Sequence, residues 1–174
     1  IKRAKILYRF RELLIAHTAE LSHLLTTEHG KVLADAKGEI MRAIECVEHC
    51  CAIPQLLQGQ YSSGVAQSMD CYTLRQPLGV CVGVTPFNFP VMITVWLAIP
   101  AIACGNSVII KPSEKNPSVV FMLAKLLQAA GLPDGVFNVV NGDKDVVDYL
   151  IRHDTVSAVN CVGSTPVAEY IYQT

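Results

Sequence analysis

The chain has 174 residues, enough for one ordinary domain with a hydrophobic core, and its 51% hydrophobic and 17% charged residues exclude a disordered segment. A formal net charge of −1 gives no electrostatic basis for binding nucleic acid or an anionic membrane, so neither partner is predicted. The seven cysteines are an odd number and form no Cys-x-x-Cys pair, which favours reduced thiols over disulfides.

Two helices are predicted before the first strand. Apolar residues recur at three- and four-residue intervals over residues 5–27, which predicts one amphipathic helix. The same spacing predicts a second helix over residues 32–57. This helix carries three cysteines and a histidine close together, but buried thiols are the simpler interpretation and no metal site is predicted. The clustered residues are Cys46, His49, Cys50 and Cys51.

The sequence after the second helix changes its pattern twice. A polar stretch with two glycines predicts a loop over residues 58–68, and looser alternation predicts a strand from Met69. From residue 79 strands and helices alternate, which is typical of a parallel sheet with right-handed crossovers. The predicted fold class is therefore α/β: a Rossmann-like parallel sheet flanked by helices, preceded by two helices and a short strand element. Strands are predicted at 80–84, 107–111, 136–140 and 156–161, and helices at 91–104, 117–130, 143–152 and 166–172.

The helix predicted at 91–104 is strongly apolar. It is shorter than the ~20 residues that a membrane-spanning helix needs, and Pro90 and Pro100 interrupt the apolar run. We interpret it as a buried helix that Pro100 should kink, and no membrane association is predicted.

The loop after the first strand of the predicted sheet is the main candidate site. Ligands of open α/β sheets bind beyond the carboxyl ends of the strands, and residues 85–90 occupy such an end. Pro86 and Pro90 stiffen the loop, and Asn88 between them carries an amide that can donate to developing negative charge. The alternative is a turn asparagine that bonds its own backbone. The loop lacks the Gly-x-Gly-x-x-Gly pattern, so either the cofactor is not a dinucleotide or its pyrophosphate is held elsewhere.

A lysine and a carboxylate follow the second strand. A nucleotide fold places the group that binds the ribose ~20 residues after the loop of its first strand. Lys111, at the end of the second strand, lies close to that offset, and Glu114 lies three residues further. Together they can bind the vicinal hydroxyls of a ribose, and the carboxylate would repel a 2′-phosphate, which favours NAD over NADP. The alternative is a surface salt bridge of little energetic weight. Asn116, followed by a proline, is predicted to cap the next helix.

A Gly-Ser-Thr-Pro turn follows the fourth strand. Ser164 or Thr165 stands where a helix cap is expected, just before Pro166. The first N–H groups of such a helix are unpaired and favour a phosphate. Simple capping is the alternative.

Three motifs in this order resemble the successive cofactor-domain motifs of the aldehyde dehydrogenase superfamily. They are the runs Pro86–Pro90, Lys111–Glu114 and Val162–Thr165. The resemblance narrows to the CoA-acylating branch, methylmalonate-semialdehyde dehydrogenase, on Val47–His49, Met69–Tyr72 and Pro77–Cys81. It covers essentially the whole chain but about the first third to half of such an enzyme, so we interpret the chain as a piece of a longer protein.

The resemblance implies roles for seven residues. In this family the nucleotide lies on the sheet, and the asparagine of the first motif holds the oxyanion of the thiohemiacetal with its side-chain N–H. Asn88 is therefore the predicted catalytic residue. The nucleophilic cysteine of the family belongs to a later domain, so this chain alone is expected to be inactive. The predicted NAD contacts are Thr85, Phe87, Lys111, Glu114, Lys115 and Ser164.

The resemblance also implies a reaction and a domain organisation. A small semialdehyde is oxidised, NAD accepts the hydride, and coenzyme A releases propionyl-CoA or acetyl-CoA in valine and pyrimidine catabolism. Residues 1–68 are predicted to form a helical segment that packs on the cofactor domain, residues 69–78 a strand of an oligomerisation element, and residues 79–174 the NAD-binding domain. A homodimer or homotetramer is expected, in the mitochondrial matrix by the resemblance and otherwise in the cytoplasm.

Three alternatives stay open. A hydrolytic aldehyde dehydrogenase would resolve the thioester with water instead of coenzyme A. A catalytically silent subunit would bind the nucleotide or support assembly without a nucleophile. In a purely structural domain, the same loops would only cap helices.

Overall fold

A computed structural model describes residues 1–174 and shows an α/β fold of eight helices and six strands. The helices are α1 (Lys2–Ala16), α2 (Thr18–His29), α3 (Leu33–Cys51), α4 (Ile53–Leu56), α5 (Pro90–Ala103), α6 (Ser118–Ala129), α7 (Lys144–Ile151) and α8 (Thr165–Gln173). The strands are β1 (Tyr61–Ala66), β2 (Met69–Tyr72), β3 (Val80–Val84), β4 (Ser107–Lys111), β5 (Phe137–Val139) and β6 (Val156–Cys161). The predicted fold class, a parallel sheet flanked by helices, is confirmed.

Strands β3 to β6 form one parallel sheet in the order β5-β4-β3-β6. Alternate residues of β3 enter different cores. Cys81 packs with the helices α1, α2, α3, α5 and α6, whereas Val82 and Val84 pack with α7 on the other face. Because both faces are covered, the strand is apolar throughout. Val84 lies beside Lys111 of β4 and Cys161 of β6, so the loops after all three strands leave from one edge of the sheet.

The N-terminal helices are divided differently from the prediction. Instead of one helix over residues 5–27, α1 and α2 meet at His17, whose ψ of 12° departs from helical geometry. The Thr18 hydroxyl donates to the Leu14 carbonyl at 2.9 Å, a local bond of the kind that competes with regular helix. The second predicted helix is divided into α3 and α4, because Pro54 has no N–H to continue the α3 hydrogen bonds.

A two-stranded antiparallel sheet, β1 and β2, precedes the parallel one. The strand predicted over residues 69–76 is confirmed at its start but ends at Tyr72, and the loop predicted over residues 58–68 is wrong where β1 forms. All residues of β1 are exposed, so no apolar pattern marks it and only pairing with β2 defines it. The Asp70 carboxylate organises the hairpin by accepting bonds from the Tyr61 hydroxyl at 2.5 Å and the Gly64 N–H at 2.9 Å.

The start of α6 also differs from the prediction. Asn116 is fully buried and does not cap this helix; its amide donates to the Phe87 carbonyl at 2.8 Å instead. The cap comes from Glu28 of α2, whose carboxylate accepts bonds from the Ser118 N–H at 3.0 Å and the Ser118 hydroxyl at 2.6 Å. A residue of the N-terminal helices thus completes a helix of the sheet region.

The apolar helix α5 continues through Pro100, and its hydrogen bonding reaches Cys104, whose N–H donates to the Pro100 carbonyl at 3.0 Å. Pro100 therefore does not end or divide the helix. No helix of the structure combines the length and the apolar character that a bilayer crossing requires.

Candidate functional site

A cavity of about 840 Å³ opens at the carboxyl ends of β3, β4 and β6. The helices α7 and α8 form its far wall, through residues that include Val147, Asp148 and Tyr170. All six predicted nucleotide contacts line this one cavity, although they come from three separate loops. They are Thr85, Phe87, Lys111, Glu114, Lys115 and Ser164.

Lys111 and Glu114 differ sharply in exposure. The Lys111 side chain is 6% exposed and its ammonium donates to the Gly142 carbonyl at 3.2 Å, whereas the Glu114 side chain is 56% exposed. Their nearest N and O atoms are 3.7 Å apart, which is an electrostatic contact and not a hydrogen bond. Because the Lys111 side chain is buried, the pair is not a salt bridge between two exposed side chains. The Glu114 carboxylate keeps its full capacity to accept hydrogen bonds from a ligand.

Thr85 adds a second unsatisfied group to the same cavity. The residue is 4% exposed, and its buried hydroxyl has no hydrogen-bond partner within the chain. Because buried hydroxyl groups are nearly always hydrogen-bonded, we expect this hydroxyl to bond a partner that is not part of the chain.

The Phe87 ring stacks on His29, with ring centroids 4.4 Å apart and an interplanar angle of 15°. The Lys115 ammonium lies 5.7 Å from the centroid of the same ring. Both ring nitrogens of His29 are buried without partners, and burial, assisted by the nearby Lys31 charge, lowers the pKa of His29. A neutral imidazole therefore supports Phe87 at neutral pH. The sequence identified His29 only as a helix residue.

Among the helices that begin at this edge, α5 and α8 differ in whether their first N–H groups are already bonded by a carboxylate. At α5, Pro90 has no N–H, and the buried Glu39 carboxylate accepts bonds from the N–H groups of Val91 at 2.7 Å and Met92 at 3.1 Å. At α8, Ser164 occupies the cap position but makes no capping bond with its side chain. No side chain caps α8, and its first residues line the cavity, so the N–H groups of its first turn, apart from the one that Pro166 lacks, suit a phosphate.

Asn88 lies at the same edge but on the other side of the loop. It is exposed and lines a separate cavity of about 450 Å³, together with residues of α3 and the α2–α3 connection. Its carbonyl accepts a bond from the Lys31 ammonium at 2.8 Å. The structure thus places Asn88 within one residue of Phe87 but outside the cavity of the six other predicted residues. Arg42 of α3 lines the Asn88 cavity too, and the sequence did not single it out.

No cysteine lines either cavity. Burial raises the pKa of the Cys51 and Cys81 thiols, so they stay protonated and weakly nucleophilic. A hydrogen bond between Cys46 and Cys50 raises the pKa of the Cys50 thiol and lowers that of Cys46. No group of three or more His, Cys, Asp or Glu side chains is placed to hold a metal ion.

Comparison with known proteins identifies the family of this chain. The aldehyde dehydrogenase family model matches residues 1–174. A malonate-semialdehyde dehydrogenase of Pseudomonas aeruginosa is 53% identical over 171 residues, which are 98% of this chain and 34% of that protein. The crystal structure of a methylmalonate-semialdehyde dehydrogenase from Oceanimonas doudoroffii superposes with a TM-score of 0.98 at 53% identity, over 99% of this chain and 36% of that one.

A third relative was solved with a ligand. It is a Sinorhizobium meliloti protein described as a methylmalonate-semialdehyde dehydrogenase, complexed with NAD, with a TM-score of 0.97 and 48% identity over 99% of this chain and 35% of that one. The chain therefore spans about a third of the length of these relatives. Because the family model matches residues 1–174, this chain belongs to the aldehyde dehydrogenase family.

Proposed function

We propose that this chain binds NAD at the carboxyl edge of its sheet, as part of an enzyme that oxidises malonate semialdehyde or methylmalonate semialdehyde. The observation that carries the proposal is the convergence of buried Lys111, exposed Glu114 and the open start of α8 on one cavity. These groups match the ribose hydroxyls and the pyrophosphate of a dinucleotide. The relative solved with NAD supports the choice of cofactor.

Lys111 and Glu114 bind the ribose. The Lys111 ammonium has three N–H donors, of which one reaches the Gly142 carbonyl, and the carboxylate 3.7 Å away accepts from hydroxyl groups. A vicinal diol fits between a fixed donor and a free acceptor of this kind. A 2′-phosphate would instead bring negative charge against Glu114, so the site favours NAD over NADP.

The pyrophosphate binds at α8 and not at α5. Glu39 already occupies the start of α5 and would repel a phosphate there. Ser164 leaves the start of α8 open, and its hydroxyl is free to donate to a phosphate oxygen. The unpartnered Thr85 hydroxyl gives the nucleotide a further hydrogen bond on the sheet.

Asn88 acts on the aldehyde. A cysteine outside this chain attacks the carbonyl carbon, and the Asn88 amide donates to the oxygen that becomes negatively charged. Bound NAD accepts the hydride of the resulting thiohemiacetal. The resulting malonyl or methylmalonyl thioester loses its carboxylate as carbon dioxide, and coenzyme A takes the remaining acetyl or propionyl group from the cysteine, whereas water would take it in the hydrolytic alternative.

Arg42 recognises the carboxylate of the substrate. Among the cations that line the Asn88 cavity, Lys31 is paired with Glu39 at 2.5 Å, and burial lowers the pKa of His29. Arg42 takes part in none of the six salt bridges of the chain. Malonate and methylmalonate semialdehyde both carry a carboxylate, and a guanidinium binds that group through two parallel hydrogen bonds.

We also propose that the enzyme is a homo-oligomer in which another copy covers the β1–β2 hairpin. Every residue of the two strands is exposed, and a two-stranded sheet is only marginally stable alone. The mitochondrial matrix and the catabolic pathway stay predictions from the resemblance.

Product analysis tests the proposed reaction on the enzyme that carries this chain. With malonate semialdehyde, NAD and coenzyme A, we expect NADH, carbon dioxide and acetyl-CoA, and turnover that falls when coenzyme A is omitted. Equal turnover without coenzyme A would identify the hydrolytic alternative. NAD binding by calorimetry without any NADH formation would indicate a silent subunit, and absence of NAD binding a structural domain.

A further inference from the structure

Glu39 is a carboxylate in the core of the molecule. It lies on the buried face of α3, and its side chain is 0% exposed. One carboxylate oxygen accepts the two bonds from the N–H groups of Val91 and Met92 at the start of α5. The other accepts a bond from the Lys31 ammonium at 2.5 Å. A buried charge with three donors is stabilised in place, and it cannot move without leaving charges or N–H groups unpaired.

Lys31 extends this network to the loop after β3. Its side chain is only 9% exposed, and its ammonium donates to the Asn88 carbonyl at 2.8 Å while bound to Glu39. The same ammonium lies 4.6 Å from the centroid of the Phe89 ring. Lys31 is therefore in contact with two consecutive residues of the loop.

The neighbouring peptide of the loop is held from the opposite direction. The Asn116 amide, fully buried between β4 and α6, donates to the Phe87 carbonyl at 2.8 Å. Carbonyls of Phe87 and Asn88 are thus bound by two side chains that reach the loop from different parts of the chain. The exposed Asn88 side chain starts from a backbone that these contacts fix.

We propose that Lys31 and Glu39 are positioning residues for the Asn88 amide. The Lys31 ammonium fixes the Asn88 peptide, and the Glu39 carboxylate fixes both that ammonium and the helix that follows the loop. The inference rests on the proposed role of Asn88 as the oxyanion donor. Neither Lys31 nor Glu39 touches the substrate in this role; they set the direction of the amide that does.

A double-mutant cycle on the whole enzyme tests the inference. Lys31→Met is expected to lower kcat up to about 10²-fold, since displacement of a catalytic group by about 1 Å has an effect of that size. In an Asn88→Ala background the same change is expected to lower kcat less than about threefold, because the amide to be positioned is gone. The dissociation constant of NAD, measured by calorimetry, should change less than about twofold in both backgrounds.

Three further variants keep the test decisive. Lys31→Arg keeps the positive charge and N–H donors for the Glu39 carboxylate and the Asn88 carbonyl, so it should retain more activity than Lys31→Met. Glu39→Gln keeps an acceptor for α5 but removes the charge that holds Lys31, so it should repeat the kcat loss if Lys31→Met does not fold. Arg11→Met is the control and should leave kcat unchanged, because it removes a half-buried cation of α1 that pairs with Glu48 of α3.

Several outcomes separate the inference from the function on which it rests. Equal kcat losses in the wild-type and Asn88→Ala backgrounds would overturn the positioning role, as would a large loss of NAD affinity in Lys31→Met. Unchanged kcat in Asn88→Ala alone would instead remove the oxyanion role of Asn88. Two results together would support both the positioning role and the oxyanion role. Lys31→Met would lower kcat in the wild-type background, where Lys31→Arg restores it, and Lys31→Met would have little further effect in the Asn88→Ala background.

Discussion

The loop of residues 85–89 separates two cavities that differ in how their polar groups are satisfied. On the nucleotide side, Lys111 and Glu114 stand 3.7 Å apart and the Thr85 hydroxyl has no partner. On the Asn88 side, Lys31 and Glu39 are bound to each other at 2.5 Å, and both also bind the backbone.

We interpret the difference as one between groups that are proposed to bind a ligand and groups that are proposed to hold the site in place. A binding group must keep donors or acceptors free, because the ligand has to replace water at each of them. A positioning group is more effective when all its donors and acceptors are used within the chain. Substitutions on the two sides should therefore have different kinetic consequences.

The largest effect is expected from Asn88→Ala. Loss of one oxyanion donor should lower kcat roughly 10²–10³-fold, while the NAD dissociation constant stays nearly unchanged because the residue lies outside the nucleotide cavity. Steady-state kinetics and calorimetry with NAD measure the two quantities. A large loss of NAD affinity with little change in kcat would reverse the assignment of the two sides.

Arg42→Met should produce a smaller effect, confined to substrates that carry a carboxylate. A hydrogen-bonded charge contributes about 1.5–3 kcal/mol, so KM for malonate semialdehyde should rise roughly 10–100-fold. KM for propanal, an uncharged aldehyde of similar size, should not change. If both aldehydes were affected alike, Arg42 would serve the loop structure and not the substrate. Arg11→Met removes a distant cation and is the matched control.

Glu114→Gln sharpens the comparison from the nucleotide side. We expect NAD to bind roughly tenfold more weakly, with unchanged KM for the aldehyde, and the preference for NAD over NADP to decrease because the repulsion of a 2′-phosphate is lost. Calorimetry with each nucleotide gives both values. Glu45→Gln, on an exposed position of α3, provides the control. An unaltered preference between the nucleotides would exclude contact between Glu114 and the ribose.

The smallest effect concerns the pH dependence of stability. The pKa of His29 is lower in the folded chain than its ordinary value of about 6.5, so the unfolded chain binds the extra proton first. The stabilising contribution is therefore complete above that value and is lost as the pH falls below it. His29→Phe preserves an aromatic ring against Phe87 but cannot titrate. Thermal unfolding between pH 5 and pH 7.5 should show a weaker pH dependence for the variant than for the unchanged chain.

The sequence predicted those features that depend on neighbouring residues in the chain, namely the strands and the side chains at their ends. The four parallel strands follow from short apolar runs buried on both faces, and Lys111, Glu114 and Ser164 follow from polar positions at or just after the ends of those strands. The resemblance to the family, and not the local pattern, led to the other three cavity residues, Thr85, Phe87 and Lys115. The carboxyl ends of parallel strands lie at one edge of the sheet. Once the strands were predicted, Thr85, Lys111 and Ser164 could therefore be expected to lie close together. The roles of these residues toward NAD stay predictions.

The sequence did not predict contacts between distant segments. Glu39 meets the start of α5 from 52 positions away, and Glu28 meets α6 from 90 positions away. A signal for Glu39 was present, since it falls on the apolar stripe of α3 with Ala36, Ile40 and Ala43. A carboxylate at such a position requires buried donors, but the pattern does not reveal where they come from. Asn116 was misassigned for the same reason.

The two carboxylates that cap helices from outside have a consequence for how this chain folds. Glu28 and Glu39 belong to the N-terminal helices, yet they complete the hydrogen bonding of α6 and α5. Removal of residues 1–57 would leave two helix starts of the sheet region with exposed or unsatisfied N–H groups. We therefore expect the N-terminal helices and the parallel sheet to unfold as one cooperative unit, with a common protection against amide hydrogen exchange.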